Sequence, residues 1–172
     1  SIFVSPLDLN IEQGRVETPF KPVIRLATPL HDKGGQPRGI VIINYFGSYL
    51  LDKFVDATEA SDASVRVHLL NSEGYWLRAP QHADEWGFMF GRQDHFGTRY
   101  PDAWRQIAHS EHGQFEDESG LWSFVTVHPQ RTATILQAHR NGLDKGEDYV
   151  WKLVSHIPAD ALARIANHNL GG

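Results

Sequence analysis

Two apolar stretches joined by a polar, glycine-containing turn constrain this fold more than any other feature. Val23 to Leu30 alternates its side chains between two faces, as a strand does. Ile40 to Phe46 is apolar on both faces and rich in β-branched residues, which is typical of a central strand. The intervening turn, His31 to Gly39, contains adjacent glycines that are free to adopt positive φ. The sequence therefore predicts a pair of neighbouring antiparallel strands.

A helix is predicted directly after this pair. Ser48 is the expected N-cap, and the helix carries an apolar stripe formed by Leu50, Leu51, Phe54 and Val55. The polar stretch 56–64 follows and is the candidate boundary between two modules.

A second series of strands and helices follows the polar stretch. Val65 to Asn71 alternates and is followed by a tight turn, which predicts a hairpin with the segment 75–79. Further along we expect a short helix opening at Pro101 and a hairpin turning near 118–120. A long loop over 129–147 and a strand over 148–158 are predicted next. A final helix should open at Pro158, with an apolar stripe of Leu162, Ile165 and Ala166.

Antiparallel strands that end in a helix thus occur twice, which predicts the α+β class with central antiparallel sheets flanked by helices. The predicted modules are residues 1–60 and 61–172. Similarity between the two is slight, so the pattern does not establish an internal repeat.

Composition narrows the possible functions. The net charge of −5 argues against nucleic acid as a partner, because phosphate binding needs a basic face. The absence of cysteine excludes disulfides, thiolate metal sites and a cysteine nucleophile. No apolar run reaches the roughly 18 residues that a membrane span needs. The abrupt ends, Ser1 to Val4 and Leu170 to Gly172, lead us to expect a piece of a longer protein.

Four segments in this order resemble the periplasmic PDC, or double Cache, sensor regions of bacterial histidine kinases and diguanylate cyclases. They are FVSPLDLN, PVIRLATP, RGIVIINYFGSYLLDKF and LLNSEGYWLRAP followed by DEWGFMF. The resemblance implies two PAS-like units stacked outside the inner membrane of a homodimeric, membrane-anchored receptor. It implies a small-molecule pocket in the membrane-distal unit and a C-terminal helix that leads toward the membrane. In this comparison residues 1–60 match only the C-terminal half of the distal unit, and residues 61–172 match the proximal unit.

Asn44 ends the segment Gly39 to Asn44, which the resemblance places beside the ligand. Amino-acid-sensing members have an aspartate there, which pairs with the ligand amine. An amide carries no charge, so a free amino acid is a poor candidate ligand here. Two interpretations stay open: Asn44 binds a ligand, or it bonds to nearby backbone.

Arg25 lies in an otherwise apolar strand, where a guanidinium must be paired or reach water. Its partner is either a local carboxylate, Asp8 or Glu17, or an anionic ligand held bidentately. Asp8 itself is typical of turns and is alternatively a ligand contact. The candidate ligand-binding residues are therefore Arg25, Asn44 and Asp8.

Catalysis and metal binding find little support. His109 and His112, with Glu111 between them, could share a helix face, but Gly113 is expected to end that helix and no third ligand has motif spacing. Neither a nucleophile elbow nor a phosphate-binding or dinucleotide motif is present. We expect no catalytic residues, no metal and no cofactor.

An aromatic-rich zone lies in the second module and contains Trp76, Trp86, Phe88, Phe90 and Trp104. It is interpreted as core, with a second pocket as the alternative. The function predicted overall is that of an extracytoplasmic sensor of a small solute, and Arg25 favours an anionic one. The alternatives are a ligand-free interaction or spacer module and, with less support, a metal-dependent hydrolase.

Overall fold

The computed structural model describes residues 2–59, 64–129 and 149–169. The chain divides into two compact units. The first runs to Lys53 and includes His128 and Tyr149; the second comprises Phe54–Val127 and the chain from Val150 onward. The predicted division between residues 60 and 61 falls in a stretch outside the described residues, and it stays a prediction.

The first unit is built around the predicted strand pair. Its elements are β1 (Phe3–Val4), β2 (Asp8–Leu9), β3 (Ile11–Glu12), β4 (Arg15–Val16), β5 (Pro22–His31), β6 (Pro37–Phe46) and the start of α1 (Ser48–Glu59). Strand β5 pairs antiparallel with β1 and β2 on one side and with β6 on the other, while β3 and β4 form a separate ribbon. The predicted antiparallel pairing of the two long strands is confirmed.

The central position predicted for the second strand is wrong for the described sheet. Among the described strands β6 pairs with β5 alone, and every residue of β6 is exposed. Ile40 is 68% exposed and Ile42 61%. Apolar, β-branched composition specifies an extended backbone, but it does not specify what covers the strand.

A small apolar core holds the first unit together. Leu7, Leu9, Val23 and Leu51 are almost completely buried. Leu51 thus confirms part of the predicted helix stripe. Ser48 is the first residue of α1 and not its N-cap. The N-cap position is taken by Gly47, whose carbonyl accepts the Leu51 N–H at 3.0 Å.

The second unit contains a five-stranded antiparallel sheet in the order β8-β7-β11-β10-β9. The strands are β7 (Arg66–Leu70), β8 (Trp76–Arg78), β9 (His112–Asp117), β10 (Gly120–Val127) and β11 (Trp151–Pro158). Its helices are α2 (Phe96–Arg99), α3 (Pro101–Ile107) and α4 (Ala159–Asn169), with 3-10 turns at His82–Asp84 and Gly87–Phe90. The predicted hairpins and helix starts in this unit are confirmed, and the molecule is α+β as expected. The loop predicted over 129–147 lies almost entirely outside the described residues.

Aromatic side chains dominate the core of the second unit. The buried cluster consists of Leu70, Trp76, Phe96, Ala103, Ile107, Trp122, Phe124 and Val154. Phe96 lies at its centre, with ring centroids 5.0 Å from Tyr100 and 5.6 Å from Trp122. Core packing is therefore the correct interpretation for Trp76, whereas Phe90 is 47% exposed.

The helix expected to carry both His109 and His112 is shorter than predicted. α3 ends at Ile107, and both His112 and its neighbour Gly113 lie in β9. The two histidines therefore do not share a helix face. None of the described helices combines the length and apolarity that crossing a membrane requires.

Candidate ligand site and the start of the terminal helix

The three residues predicted to bind a ligand lie on one face of the first unit's sheet. Arg25 on β5 stands directly opposite Asn44 on β6, and Asp8 on β2 stands opposite Val23. Because residues two apart on a strand share a face, Val23 brings Asp8 to the Arg25 side. The sheet register thus assembles residues that are far apart in the sequence.

Arg25 is held by both its backbone and its side chain. Its N–H donates to the Ser5 hydroxyl at 2.9 Å, and its carbonyl accepts the Ser5 N–H at 2.9 Å. Its guanidinium donates to Asp8 Oδ1 at 2.7 Å and, more weakly, to Asn10 Oδ1 at 3.5 Å. The predicted alternative of a local carboxylate partner is therefore realised by Asp8.

Glu17, the other carboxylate considered, belongs to a neighbouring pair. It forms an ion pair with Lys21 and accepts a hydrogen bond from Asn10 Nδ2 at 3.0 Å. The bond from Lys21, followed by the bond from Asn10, lowers the pKa of Glu17. Asn10 thus connects the two ion pairs into one polar network.

The pair of Arg25 and Asp8 is only partly withdrawn from solvent, since each side chain is 29% exposed. Asn44 is exposed, and its side chain makes no hydrogen bond within the part of the chain that the structure describes. The backbone-capping interpretation of Asn44 therefore finds no support, and its ligand role stays a prediction. Chemically, the arrangement offers one guanidinium and one amide to an incoming group on an open face.

A second arrangement, which the sequence did not indicate, fixes the start of α4. The Ser119 carbonyl, in the turn between β9 and β10, accepts two hydrogen bonds. One comes from the Ala159 N–H at 2.9 Å and one from His156 Nε2 at 3.0 Å. The His156 ring stacks on Trp122 with centroids 3.8 Å apart and planes 6° apart. The first residue of the helix and a core side chain thus share one acceptor.

Asp117 stabilises the turn that presents this carbonyl. Its Oδ1 accepts the Ser119 N–H at 2.9 Å and the Trp122 indole N–H at 3.0 Å. Burial alone would raise the pKa of Asp117, but these hydrogen bonds outweigh burial and lower it. The turn is therefore held by an ionised carboxylate on one side and by the core on the other.

The sequence model of the family described as "Bacterial histidine kinase, sensor domain" matches residues 2–136. This chain belongs to that family. As a sensor domain it is not itself the catalytic part of a receptor. No curated protein sequence gives a significant match.

Three solved structures share the fold of this sensor domain. The extracellular domain of a protein described as the histidine kinase vpHK1S-Z8 matches with a TM-score of 0.68 and 16% identity, over 96% of this chain and 53% of that one. A domain of a sensory box/GGDEF family protein from Vibrio parahaemolyticus matches at 0.67 and 15% identity, over 95% and 55%. The periplasmic sensory domain of the Campylobacter jejuni chemoreceptor Tlp1 matches at 0.60 and 13% identity, over 95% and 51%.

These matches confirm the predicted PDC-like fold. The sensor domain described here spans about half the length of the solved domains it matches.

Proposed function

We propose that this chain is part of the extracytoplasmic sensory region of a membrane-anchored bacterial receptor. Its first unit binds a small anionic solute at Arg25, and its second unit relays the signal through α4. The observation that carries the binding half is the convergence of Asp8, Arg25 and Asn44 on one open sheet face. Family membership supports the sensory role.

An anion is the ligand class that this chemistry favours. A guanidinium binds carboxylate or phosphate bidentately, and its contacts with Asp8 and Asn10 leave further N–H donors for a ligand. An amide beside it adds a donor without adding charge. A solute that carries only a cationic group would find a single carboxylate already occupied by Arg25.

The binding proposal is tested by calorimetric titration of small carboxylates and inorganic phosphate into the complete sensory region of the parent receptor. Arg25→Gln should abolish the binding seen with the unaltered protein. Arg38→Gln is the matched control, because Arg38 lies on the neighbouring strand β6 and also pairs with an aspartate, Asp32. Equal binding by Arg25→Gln and the unaltered protein would refute the assignment.

The relay half rests on the anchoring of α4. A ligand shifts a receptor only if it contacts two conformations differently. The proposed moving element is α4, whose first N–H shares the Ser119 carbonyl with His156. A small displacement of that turn would tilt or translate the helix against its counterpart in a homodimer.

Spin labels at Arg164, an exposed position of α4, test the relay. The distance between the two labels in a dimer of the complete sensory region should change when ligand is added. An unchanged distance at saturating ligand would contradict relay through this helix. The output is a histidine kinase by family analogy, and a diguanylate cyclase is the alternative; autophosphorylation of the full receptor distinguishes them.

A second candidate function, that of a ligand-free interaction or spacer module, is favoured by the exposure of β6. Apolar residues of this strand are exposed on both faces, among them Ile42 at 61% and Ile43 at 59%. Such a strand is a ready partner for another strand or a protein surface. Light scattering of the complete sensory region, unaltered and with Ile42→Lys, tests whether this strand takes part in assembly. A mass that the substitution reduces, together with no solute binding, would favour this candidate.

A further inference from the structure

His68 and His156, on neighbouring strands of the second unit's sheet, are both buried. His68 is 4% exposed and His156 is 3% exposed. His68 Nε2 and His156 Nδ1 find no hydrogen-bond partner among the residues that the structure describes. Buried polar groups are normally paired, so each of these atoms requires an explanation.

The hydrogen bond made by the other nitrogen of each ring determines whether the unpaired nitrogen is a donor or an acceptor. The Trp76 indole donates to His68 Nδ1 at 3.1 Å, and an indole can only donate. His68 Nδ1 is therefore an acceptor, and the ring proton is on Nε2. His156 Nε2 faces the Ser119 carbonyl, which can only accept, so that nitrogen donates and Nδ1 is an acceptor. One unpaired donor and one unpaired acceptor result.

The sheet register makes His68 and His156 diagonal neighbours on one face. His68 on β7 stands opposite Val154 on β11, and His156 is two residues further along β11 on the same face. Diagonal neighbours of this kind lie about 7–8 Å apart, and their Cβ atoms are somewhat closer. The Tyr100 ring centroid is 6.4 Å from that of His68 and 6.2 Å from that of His156. Both rings therefore lie beside Tyr100 in the aromatic core.

Burial, more than the surrounding charges, keeps both rings neutral. Burial, followed by repulsion from His156, Arg66 and Arg99, lowers the pKa of His68 to about 3, although Asp84 opposes the shift. Burial also lowers the pKa of His156. Because both rings stay neutral, a change of protonation does not satisfy either unpaired nitrogen. They need a group that accepts from one and donates to the other.

We propose that a single hydroxyl group bridges His68 Nε2 and His156 Nδ1 inside the second unit, accepting from the first and donating to the second. A hydroxyl has the required pair of functions, and the aromatic surroundings select against charge. Its source is a buried water molecule or a small uncharged compound. Because His156 also donates to the Ser119 carbonyl, a bound compound would act next to the first residue of α4.

Nuclear magnetic resonance of the unaltered chain tests the bridge without any signalling assay. Side-chain ¹H–¹⁵N spectra should show both rings neutral and protonated at Nε2. The His68 Nε2 proton should give a cross-relaxation peak to a water resonance or to a hydroxyl-bearing compound. A His68 Nε2 proton with neither contact would overturn the proposal.

A double-mutant cycle with His68→Phe and His156→Phe supplies a second measurement. If one hydroxyl spans both rings, the two substitutions should couple by about tenfold in the unfolding equilibrium constant. His109→Phe, at an exposed turn, is the control partner and should show no coupling with His68→Phe. Additive effects of the buried pair would count against the bridge.

The source of the hydroxyl is distinguished by melting curves with polyols and simple alcohols. A compound that raises the melting temperature of the unaltered chain but not of His68→Phe identifies a ligand hydroxyl. A water cross-peak without any such shift identifies a buried water.

Discussion

Substitution of Gly120 by alanine tests how the start of α4 is held. Gly120 has φ +135, a backbone conformation that residues with a side chain rarely adopt. An alanine Cβ there would lie 2.0 Å from the Ile157 carbonyl oxygen and 2.8 Å from the Ala159 nitrogen. Both neighbours are backbone atoms, so the main chain of β11 or α4 must move.

The expected cost combines two effects. Holding alanine at this φ costs about 1–3 kcal/mol, and forcing packed backbone apart costs about 1–3 kcal/mol more. We therefore expect Gly120→Ala to reduce the free energy of unfolding of the second unit by roughly 4 kcal/mol. Gly91→Ala is the matched control: Gly91 also has positive φ, +65, but nothing lies within 4 Å of the position that an alanine Cβ would take there. It should cost only about 1 kcal/mol.

Urea unfolding monitored by tryptophan fluorescence measures this difference. All five tryptophans lie in the second unit, so the signal reports that unit alone. If Gly120→Ala were no more destabilising than Gly91→Ala, the close contact between the β9–β10 turn and the start of α4 would be refuted.

Three further outcomes are expected. Because folding lowers the pKa of His68 from 6.5 to about 3, the unfolded chain binds the additional proton as pH falls. Between pH 7 and pH 5 the unaltered chain should therefore lose about 2 kcal/mol of unfolding free energy more than His68→Phe does, as measured by urea unfolding. Burial lowers the pKa of Lys152, so the unaltered chain should gain stability relative to Lys152→Met between pH 8 and pH 10; parallel pH profiles would contradict this. Asp8→Asn should change stability by less than about 1 kcal/mol, since the pair with Arg25 is partly exposed. Calorimetry should nevertheless show tighter binding of phosphate or carboxylate, because the substitution removes the negative charge that pairs with Arg25. Unchanged affinity would exclude Arg25 as the residue that binds the anion.

Local pattern predicted the elements of this fold well. The hairpin of β5 and β6, the strands of the second unit and the helices opening near Pro101 and Pro158 all occur where periodicity and turn residues indicated. Each of these depends on the backbone preferences of a short segment and on its nearest turn. The pairing of Arg25 with Asp8 was predicted as one of two alternatives, because a guanidinium in an apolar strand needs a nearby carboxylate.

Which side chains are buried, including the buried histidine of the second unit, was not predictable in the same way. Alternation in Val65 to Asn71 gave no reason to favour the His68 side over the valine side as the core face. In the structure Val67 is half-buried, whereas His68 is buried against Phe96 and Trp122. The ring is accommodated because Trp76, on the neighbouring strand, supplies a hydrogen bond.

The sequence by itself determined which segments form strands, turns and helices, since those choices depend on side chains a few positions apart. Only the tertiary structure decided that β6 is exposed and pairs, among the described strands, with β5 alone, and that Asp8, Arg25 and Asn44 share a face. It also decided that one carbonyl receives both His156 and the first residue of α4. These features depend on the register between strands distant in the sequence, which no local preference encodes.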